Sequence, residues 1–149
     1  QRRRQRQMCI RDRFKNGTWF PVKDLGSFDQ DGYYFHHGRA DDVIISAGWT
    51  MSAVEIEDVL LKHTAVEEAA VIGVRDEERG QIVKAFIITK SDEKTSLVKE
   101  LQAFTRERLS LHEYPRLIEF TDTLPKTPAG KVNRKILRES TTEDNKRDI

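Results

Sequence analysis

Ala69-Ala70-Val71-Ile72-Gly73-Val74 is a short, unbroken apolar run, and it predicts a buried β-strand within residues 66–75. A charged link ending in Gly80 follows it, and residues 81–90 carry a second apolar run that predicts a second strand. Residues 95–111 place apolar side chains on one helical stripe, and residues 116–121 predict a third short strand. This alternation predicts a small α+β domain, with helices flanking a sheet of about three strands.

The residues before that run predict a helix and, further upstream, a β-hairpin. Ser52 stands at the expected N-cap, with Glu55 three residues later as in a capping box, and the helix extends to about His63. Asp29-Gln30-Asp31-Gly32 is a turn sequence between short strands at residues 19–26 and 33–39. Residues 43–47 predict another short strand, which ends because Gly48 breaks the pattern.

The composition is typical of a soluble protein. The 149 residues carry a net charge of +1, with 37% hydrophobic and 34% charged residues, which fits one domain or a little more. No run approaches the roughly 18 apolar residues of a membrane span, and no apolar segment typical of a signal peptide follows the basic N-terminus. The single cysteine, Cys9, excludes an internal disulfide framework and fits a reducing compartment, so we expect a cytoplasmic location.

The two ends of the chain differ from its middle. Residues 1–13 hold six arginines and one aspartate, so this arm carries +5 and the remainder of the chain −4. Such an arm is typical of a nucleic-acid or membrane-surface patch. The alternative, which we favour, is a disordered extension or an artefact of sequence assembly, and we therefore expect no nucleic-acid binding. Residues 141–149 are polar, and we expect a frayed tail.

A second informative stretch is Leu124-Pro125-Lys126-Thr127-Pro128-Ala129-Gly130-Lys131-Val132-Asn133-Arg134. Pro125 and Pro128 fix φ, and Gly130 allows a tight or left-handed turn, so Lys131 is held on a constrained loop. A helical turn or two at residues 133–139 follows. A lysine so placed suits a phosphate or a developing negative charge. The alternative is a solvated lysine beside a basic tail that contains Arg134, Lys135 and Arg138.

Together with an upstream stretch, this loop resembles a known family. The stretch runs Gly38-Arg39-Ala40-Asp41-Asp42-Val43-Ile44-Ile45-Ser46-Ala47-Gly48-Trp49 and continues as Ser52-Ala53-Val54-Glu55-Ile56-Glu57. The pair resembles the C-terminal domain of the adenylate-forming (AMP-binding) enzymes, over about residues 19–139. The resemblance implies that ATP activates a carboxylic acid as an acyl-adenylate, and that a thiol then displaces AMP. It also implies a large N-terminal domain and a small domain that rotates between two poses.

The resemblance assigns residues to the adenylation step. Lys131 matches the catalytic lysine, which bridges the substrate carboxylate and the α-phosphate. Asp24 and Arg39 match residues that contact the ribose of ATP, although Val22 and Lys23 stand where the family usually has Thr and Gly. Asp41 falls at the hinge. Residues 14–40 then form the end of the large domain and the linker, and residues 41–140 the small domain.

A second set matches contacts to coenzyme A (CoA). Ala47-Gly48-Trp49 matches the segment that lines the thiol tunnel, although Thr50 stands where many acyl-CoA synthetases have Arg. Arg79, Arg106 and Tyr114 match CoA contacts of the medium-chain acyl-CoA synthetases. Arg and Tyr suit a phosphorylated nucleotide through charge and stacking. The alternatives are solvated arginines, and an aromatic side chain at the edge of the core.

The resemblance is closest to the medium-chain or aryl acyl-CoA synthetases, so we interpret the chain as a C-terminal fragment of such an enzyme, inactive by itself. ATP, CoA and the carboxylic acid would bind with the N-terminal domain, and Mg²⁺ would not be bound by residues here. The four histidines have no metal-ligand spacing, so no metal site is expected. Two alternatives remain: an adenylation domain that loads a carrier protein, and a stand-alone, non-catalytic binding module.

Overall fold

The computed structural model describes residues 23–147. The predictions for the basic arm, for Cys9 and for residues 19–22 of the first strand concern residues outside that range. The chain divides into two compact units, Gln1–Asp41 and Asp42–Ile149.

In the first unit, strands β1 (Asp24–Phe28) and β2 (Tyr34–Arg39) form the predicted antiparallel hairpin. The turn between them is closed by Asp29, whose Oδ1 accepts hydrogen bonds from the backbone N–H groups of Asp31 (3.0 Å) and Tyr33 (2.9 Å). Gly32 has a φ of 85°, which explains the glycine at this position. A single 3₁₀ turn, Ala40–Asp42, follows β2.

The second unit begins with a hairpin that the sequence analysis recognised only in part. Strand β3 (Val43–Ser46) was predicted, but β4 (Trp49–Ser52), which pairs with it antiparallel, was not. Helix α1 (Ala53–Leu60) follows directly, and the Ser52 hydroxyl accepts a hydrogen bond from the Glu55 N–H, which confirms the predicted N-cap. Gly48 is therefore the turn of a hairpin rather than the end of a lone strand.

The central sheet has three strands in the order β5–β6–β7. The long strands β5 (Glu68–Asp76) and β6 (Gly80–Ile88) are antiparallel, and the short strand β7 (Leu117–Phe120) is parallel to β6. Helix α2 (Lys94–Arg108) forms the crossover between β6 and β7, as a parallel connection requires. The predicted α+β fold with about three strands is confirmed.

Apolar side chains are buried on both faces of this sheet. On β5, Ala69 and Val71 belong to a core with α1, α2, Ile44 of β3 and Met51 of β4. The alternating residues Ala70, Ile72 and Val74 belong to a second core, which includes Leu124 and Leu137. Covering both faces explains why β5 is continuously apolar instead of alternating with polar residues. The β3–β4 hairpin and the lysine loop (residues 126–132) are therefore held by opposite faces of the sheet.

The last helix is longer than predicted. Helix α3 runs from Arg134 to Arg147, so it includes residues 141–147 of the stretch expected to be a frayed tail. The sequence shows no clear apolar stripe there, but Leu137 packs into the second core, and the Thr141 hydroxyl donates to the Leu137 carbonyl (2.9 Å). Within the described residues, no helix is long and apolar enough to cross a membrane.

Candidate functional site

The lysine loop is closed by its own hydrogen bonds, most of them made by Thr127. The Thr127 N–H donates to the Lys131 carbonyl (2.7 Å), and its own carbonyl accepts from the Gly130 N–H (2.8 Å). The Thr127 hydroxyl also accepts from the Lys131 N–H (3.3 Å). Gly130 has a φ of 79°, which the tight turn requires. Lys131 is exposed, so a rigid loop presents its ammonium group to solvent.

Two contacts close the base of this loop, and two others anchor it to the rest of the domain. At its base, Lys126 and Val132 form an isolated antiparallel bridge, and Val132 packs against the second core. The Asn133 N–H donates to the Pro125 carbonyl (2.7 Å) just outside the bridge. Lys126 Nζ lies 2.8 Å from Glu68 Oε1, at the first residue of β5. The loop is therefore fixed near the start of that strand.

Just after the loop lies an ion cluster that the sequence analysis missed. It comprises Asp42, Glu57, Arg134 and Arg138, and we call it the Arg134 cluster. Arg134 donates to both carboxylate oxygens of Glu57 (Nε–Oε1 3.1 Å, Nη2–Oε2 2.5 Å) and, through Nη1, to Asp42 Oδ2 (3.1 Å). Arg138 Nη2 binds the other Asp42 oxygen (2.6 Å). Arg134 and Arg138, which the sequence placed in a basic tail beside Lys131, are therefore both paired with carboxylates.

The Arg134 cluster lies at the free edge of the sheet. Glu57 Oε1 also accepts a hydrogen bond from the Val71 N–H (2.7 Å), an outward-pointing donor of the edge strand β5. The only signal in the sequence was the i, i+4 spacing of the two arginines. Their partners could not be found that way, because Glu57 and Asp42 are 77 and 92 residues away from Arg134.

Burial sets the protonation behaviour of this cluster. Desolvation raises the pKa of Glu57 above its usual value, although the hydrogen bond and charge of Arg134 and the Val71 N–H oppose the shift. Burial would lower the pKa of Arg134, but Glu57 and Asp42 outweigh it and raise that pKa, so the guanidinium stays charged. A permanently charged arginine thus holds two carboxylates that are mostly shielded from water.

The segment expected at the CoA thiol is the tip of the β3–β4 hairpin. Ala47 and Gly48 both have positive φ angles, 49° and 83°, in a two-residue turn between the paired residues Ser46 and Trp49. Two positive φ angles are the mark of a type I′ turn, in which Ala47 carries backbone strain because it has a Cβ. The Ala47 N–H donates to the Arg79 carbonyl (2.9 Å), so the structure brings Arg79 to this tip.

The other expected CoA contacts lie at the start of β4, near the end of α2 and in the loop after α2. Trp49 is 57% exposed, and its ring stacks on His112 with centroids 4.8 Å apart. Tyr114 is two residues further along, but it is only 7% exposed, with the Arg106 guanidinium 3.9 Å from its ring centroid. Tyr114 therefore offers little surface to a ligand in this arrangement, whereas Arg106 covers it and is exposed. His112 is a neighbour of Trp49 that the sequence analysis did not identify.

The first unit carries the residues expected at the ribose. Asp24 and Arg39 are opposite one another in the β1–β2 hairpin, and both are exposed. Lys23, which stands where the family usually has Gly, has a φ of 63°, so a residue with a side chain adopts the left-handed backbone here. Its carbonyl accepts from the Ala40 N–H (2.8 Å). The side chain of Asp41 lies outside the described residues, and the division between the two units falls directly after this residue.

Within the second unit, the two sets of candidate residues are far apart. The lysine loop is anchored at Glu68, where β5 begins, and the hairpin tip is bonded to Arg79 in the turn after β5. The nine residues of β5 span about 26 Å at about 3.3 Å per residue. The segments that carry the two sets also pack against opposite faces of the sheet, the β3–β4 hairpin through Ile44 and Met51 and the lysine loop through Val132. In the part of the chain with described side chains, no three His, Cys, Asp or Glu residues could hold a metal ion.

Comparison with known proteins gives consistent matches. The sequence profile of the AMP-binding enzyme C-terminal domain matches residues 55–131. The human mitochondrial acyl-coenzyme A synthetase ACSM4 is 42% identical over 127 residues, which are 83% of this chain and 22% of that protein. The acetyl-coenzyme A synthetase of Bacillus subtilis is 41% identical over 127 residues, 84% of this chain and 22% of its own length. The chain thus spans less than a quarter of these relatives.

Solved structures agree with the sequence comparison. An acyl-CoA synthetase from Brucella canis superimposes with a TM-score of 0.69 at 44% identity, over 83% of this chain and 23% of that one. The anthranilate CoA ligase AuaEII, solved in complex with anthranoyl-AMP, superimposes with a TM-score of 0.71 at 40% identity, over 80% of this chain and 23% of that one.

Proposed function

The chain belongs to the family of AMP-binding enzyme C-terminal domains, and on that premise we propose that it is the C-terminal part of an AMP-forming acyl-CoA synthetase. Such an enzyme joins a carboxylic acid to ATP as an acyl-adenylate and then transfers the acyl group to CoA. The substrate class we propose is a medium-chain or aryl acid. The compartment we propose is the cytoplasm, in keeping with the single cysteine.

The observation that carries this proposal is the placement of two candidate sites on opposite faces of one small domain. Lys131 extends from a loop packed on one face, and the tip at Ala47 and Gly48 belongs to the β3–β4 hairpin, which packs on the other face. A single active site cannot contact both at once across a strand of about 26 Å. The domain must therefore turn between the two half-reactions, and Asp41 is at the position where the chain passes from one unit to the next.

In the adenylation pose, Lys131 supplies electrostatic stabilisation. An oxygen of the substrate carboxylate attacks the α-phosphorus, the bond between that phosphorus and the bridging oxygen breaks, and pyrophosphate leaves. Negative charge builds on the oxygens around the α-phosphorus, and the lysine ammonium on its closed loop neutralises it. No proton needs to move. Asp24 would accept hydrogen bonds from the ribose hydroxyls and Arg39 would donate to them. ATP and Mg²⁺ would otherwise be held by the preceding domain.

In the thioester pose, the hairpin tip would lie beside the pantetheine chain. The CoA thiol loses its proton to water, the thiolate sulfur attacks the acyl carbonyl, the bond between the acyl carbon and the AMP oxygen breaks, and AMP leaves. Gly48 has no Cβ and thus allows close backbone approach, and exposed Trp49 supplies an apolar wall. Arg79 and Arg106 are the candidate cations for the CoA phosphates. Position 50, where many acyl-CoA synthetases have Arg, is Thr in this chain and adds no positive charge.

The test uses a hybrid enzyme in which residues 24–149 replace the matching C-terminal part of the Bacillus subtilis acetyl-CoA synthetase, which is 41% identical to this chain. Adenylation is measured as acetate-dependent exchange of pyrophosphate into ATP, and thioester formation from preformed acetyl-adenylate and CoA. We expect Lys131→Ala to lower adenylation by about 100-fold or more and to leave thioester formation within a few-fold.

The matched control is Lys135→Ala, at an exposed lysine four residues further along in the first turn of α3, which should change neither half-reaction. Equal losses in both half-reactions from Lys131→Ala would contradict the assigned role. A folded hybrid that lacks both half-reactions even with Lys131 would favour the non-catalytic binding module.

The alternative thiol acceptor, a phosphopantetheine on a carrier protein, is favoured by one observation. Tyr114 is buried under Arg106 rather than open for stacking on an adenine. In the same hybrid, pantetheine and CoA are compared as acceptors. A preference for CoA that Arg79→Ala and Arg106→Ala abolish supports the CoA assignment, and equal use of both thiols supports the carrier protein.

A further inference from the structure

The Arg134 cluster joins three segments that are distant in the sequence. Asp42 is the residue after the expected hinge, Glu57 lies on α1, and Arg134 opens α3 three residues after Lys131. Both Asp42 oxygens are occupied, one by Arg134 and the other by Arg138. One guanidinium therefore connects the beginning of the rotating domain directly to the end of the lysine loop.

We propose that Arg134 is a positioning residue, which fixes the lysine loop to the hinge-proximal segment so that rotation at Asp41 carries Lys131 as part of one rigid body. The inference rests on the proposed function for the meaning of that rotation. It assigns to Arg134 no contact with substrate, because its donors are already committed to Glu57 and Asp42.

The geometry of the cluster suits this role. Arg134 donates two parallel hydrogen bonds to the Glu57 carboxylate, and this bidentate pairing fixes the orientation of the guanidinium as well as its distance from the carboxylate. The side chains of Arg134, Asp42 and Glu57 are only 19%, 12% and 11% exposed, so water competes little for these bonds. The base of the loop is closed immediately beside it, where the Asn133 N–H binds the Pro125 carbonyl. A shift of Arg134 would therefore be passed to the loop.

Stability alone is a poor explanation for the cluster. Each face of the sheet has its own apolar core, and the two cores are built without these four side chains. Removing partly buried charges from water costs free energy, and apolar side chains of similar size often stabilise the folded state as well as an ion pair or better. Directional ion pairs do fix the positions of the three chain segments relative to one another, and a positioning role requires this.

The first experiment uses the 149-residue chain itself and does not depend on ligase activity. Backbone hydrogen exchange is measured by NMR for Arg134→Gln and Asp42→Asn. We expect the Gly130, Lys131 and Asn133 amides to exchange about tenfold faster or more, while amides in the middle of β6 keep their rates. The matched control is Lys84→Gln, which breaks the Lys84–Glu119 pair (2.8 Å) between β6 and β7. Unchanged loop amides in both cluster variants would overturn the proposal.

The second experiment separates positioning from stability in the hybrid enzyme. Arg134→Gln should lower the kcat of adenylation by about 10- to 100-fold, because a misplacement near 1 Å costs about that much, and should change thioester formation less than about threefold. Arg134→Lys, which keeps the charge but not the fork, should restore little. Equal losses in both half-reactions, matching those of Lys84→Gln, would mean a purely structural role and overturn the proposal.

The two experiments also distinguish this proposal from the proposed function. If the unmodified hybrid forms no adenylate, the proposed function fails, and the exchange rates of the loop amides still decide whether Arg134 fixes the loop. If the hybrid is active and Arg134→Gln affects neither the loop amides nor adenylation, the proposed function stands and the positioning role is wrong.

Discussion

The lysine loop and the β3–β4 hairpin tip are both tight turns that present candidate functional residues, but they differ in backbone strain. In the lysine loop only Gly130 has a positive φ, and Thr127 closes the loop with three hydrogen bonds. At the hairpin tip a non-glycine residue, Ala47, has a positive φ beside Gly48. A relaxed, closed loop suits a lysine that must be placed accurately, whereas strain at the tip persists only because β3–β4 pairing and the bond to Arg79 hold it.

The largest effect on activity is expected from a substitution that introduces backbone strain into the lysine loop. Gly130→Val places a β-branched side chain at a φ of 79°, so the loop must rearrange even though the space around it is open. We expect adenylation by the hybrid enzyme to fall by about 100-fold, with thioester formation nearly unchanged. Gly80→Val is the matched control for adenylation, because Gly80 has a φ of 74° and equally open space at the turn between β5 and β6. Adenylation at the unmodified rate in Gly130→Val would show that the closed loop is not needed.

The reciprocal effect is expected from the tip. Trp49→Ala removes an exposed ring that stacks on His112, and we expect thioester formation to fall by about tenfold while adenylation is retained. The readout is again the pair of half-reactions in the hybrid. Leu111→Ala, which removes another exposed apolar side chain close in sequence to His112, is the control. Loss of adenylation in Trp49→Ala would contradict the assignment of the hairpin tip to thioester formation alone.

Relieving the strain at the tip should stabilise the chain. Ala47→Asn gives the Asn-Gly sequence that type I′ turns favour, and we expect the free energy of unfolding to rise by about 1 kcal/mol. The measurement is urea unfolding of the 149-residue chain. In the lysine loop, Ala129→Asn should give no such gain, because Ala129 is not among the described residues with positive φ. A destabilised Ala47→Asn would contradict the strain argument.

The smallest effect concerns the pH dependence of the cluster that borders the lysine loop. Because the pKa of Glu57 is raised above its usual 4.5, the folded state keeps this proton at pH values where the unfolded chain has lost it. The contribution of Glu57 to stability must therefore fall as the pH rises through and above 4.5. Glu57→Gln should lack this fall, so the difference between the two unfolding free energies should change as the pH rises above 4.5. Parallel stability curves would contradict the raised pKa.

Local patterns predicted the parts of the fold that depend on local physics. The apolar runs of β5 and β6, the Ser52 N-cap and the Asp29 turn were all found, because each is encoded within a few consecutive residues. The lysine loop was found for the same reason. Strand β4 and the second half of α3 were missed, since Trp49–Ser52 shows no alternating pattern and α3 has no evident apolar stripe.

The sequence by itself determined the family, the α+β class and the constrained loop of Lys131, because prolines, glycines and apolar runs act on their immediate neighbours. Only the tertiary structure decided three other features. These are the placement of the two candidate sites on opposite faces, the left-handed backbone of Lys23 and Ala47, and the partners of Arg134. Each depends on contacts between segments far apart in the chain, and a charge, unlike an apolar periodicity, leaves no sign in the sequence of which distant group it binds.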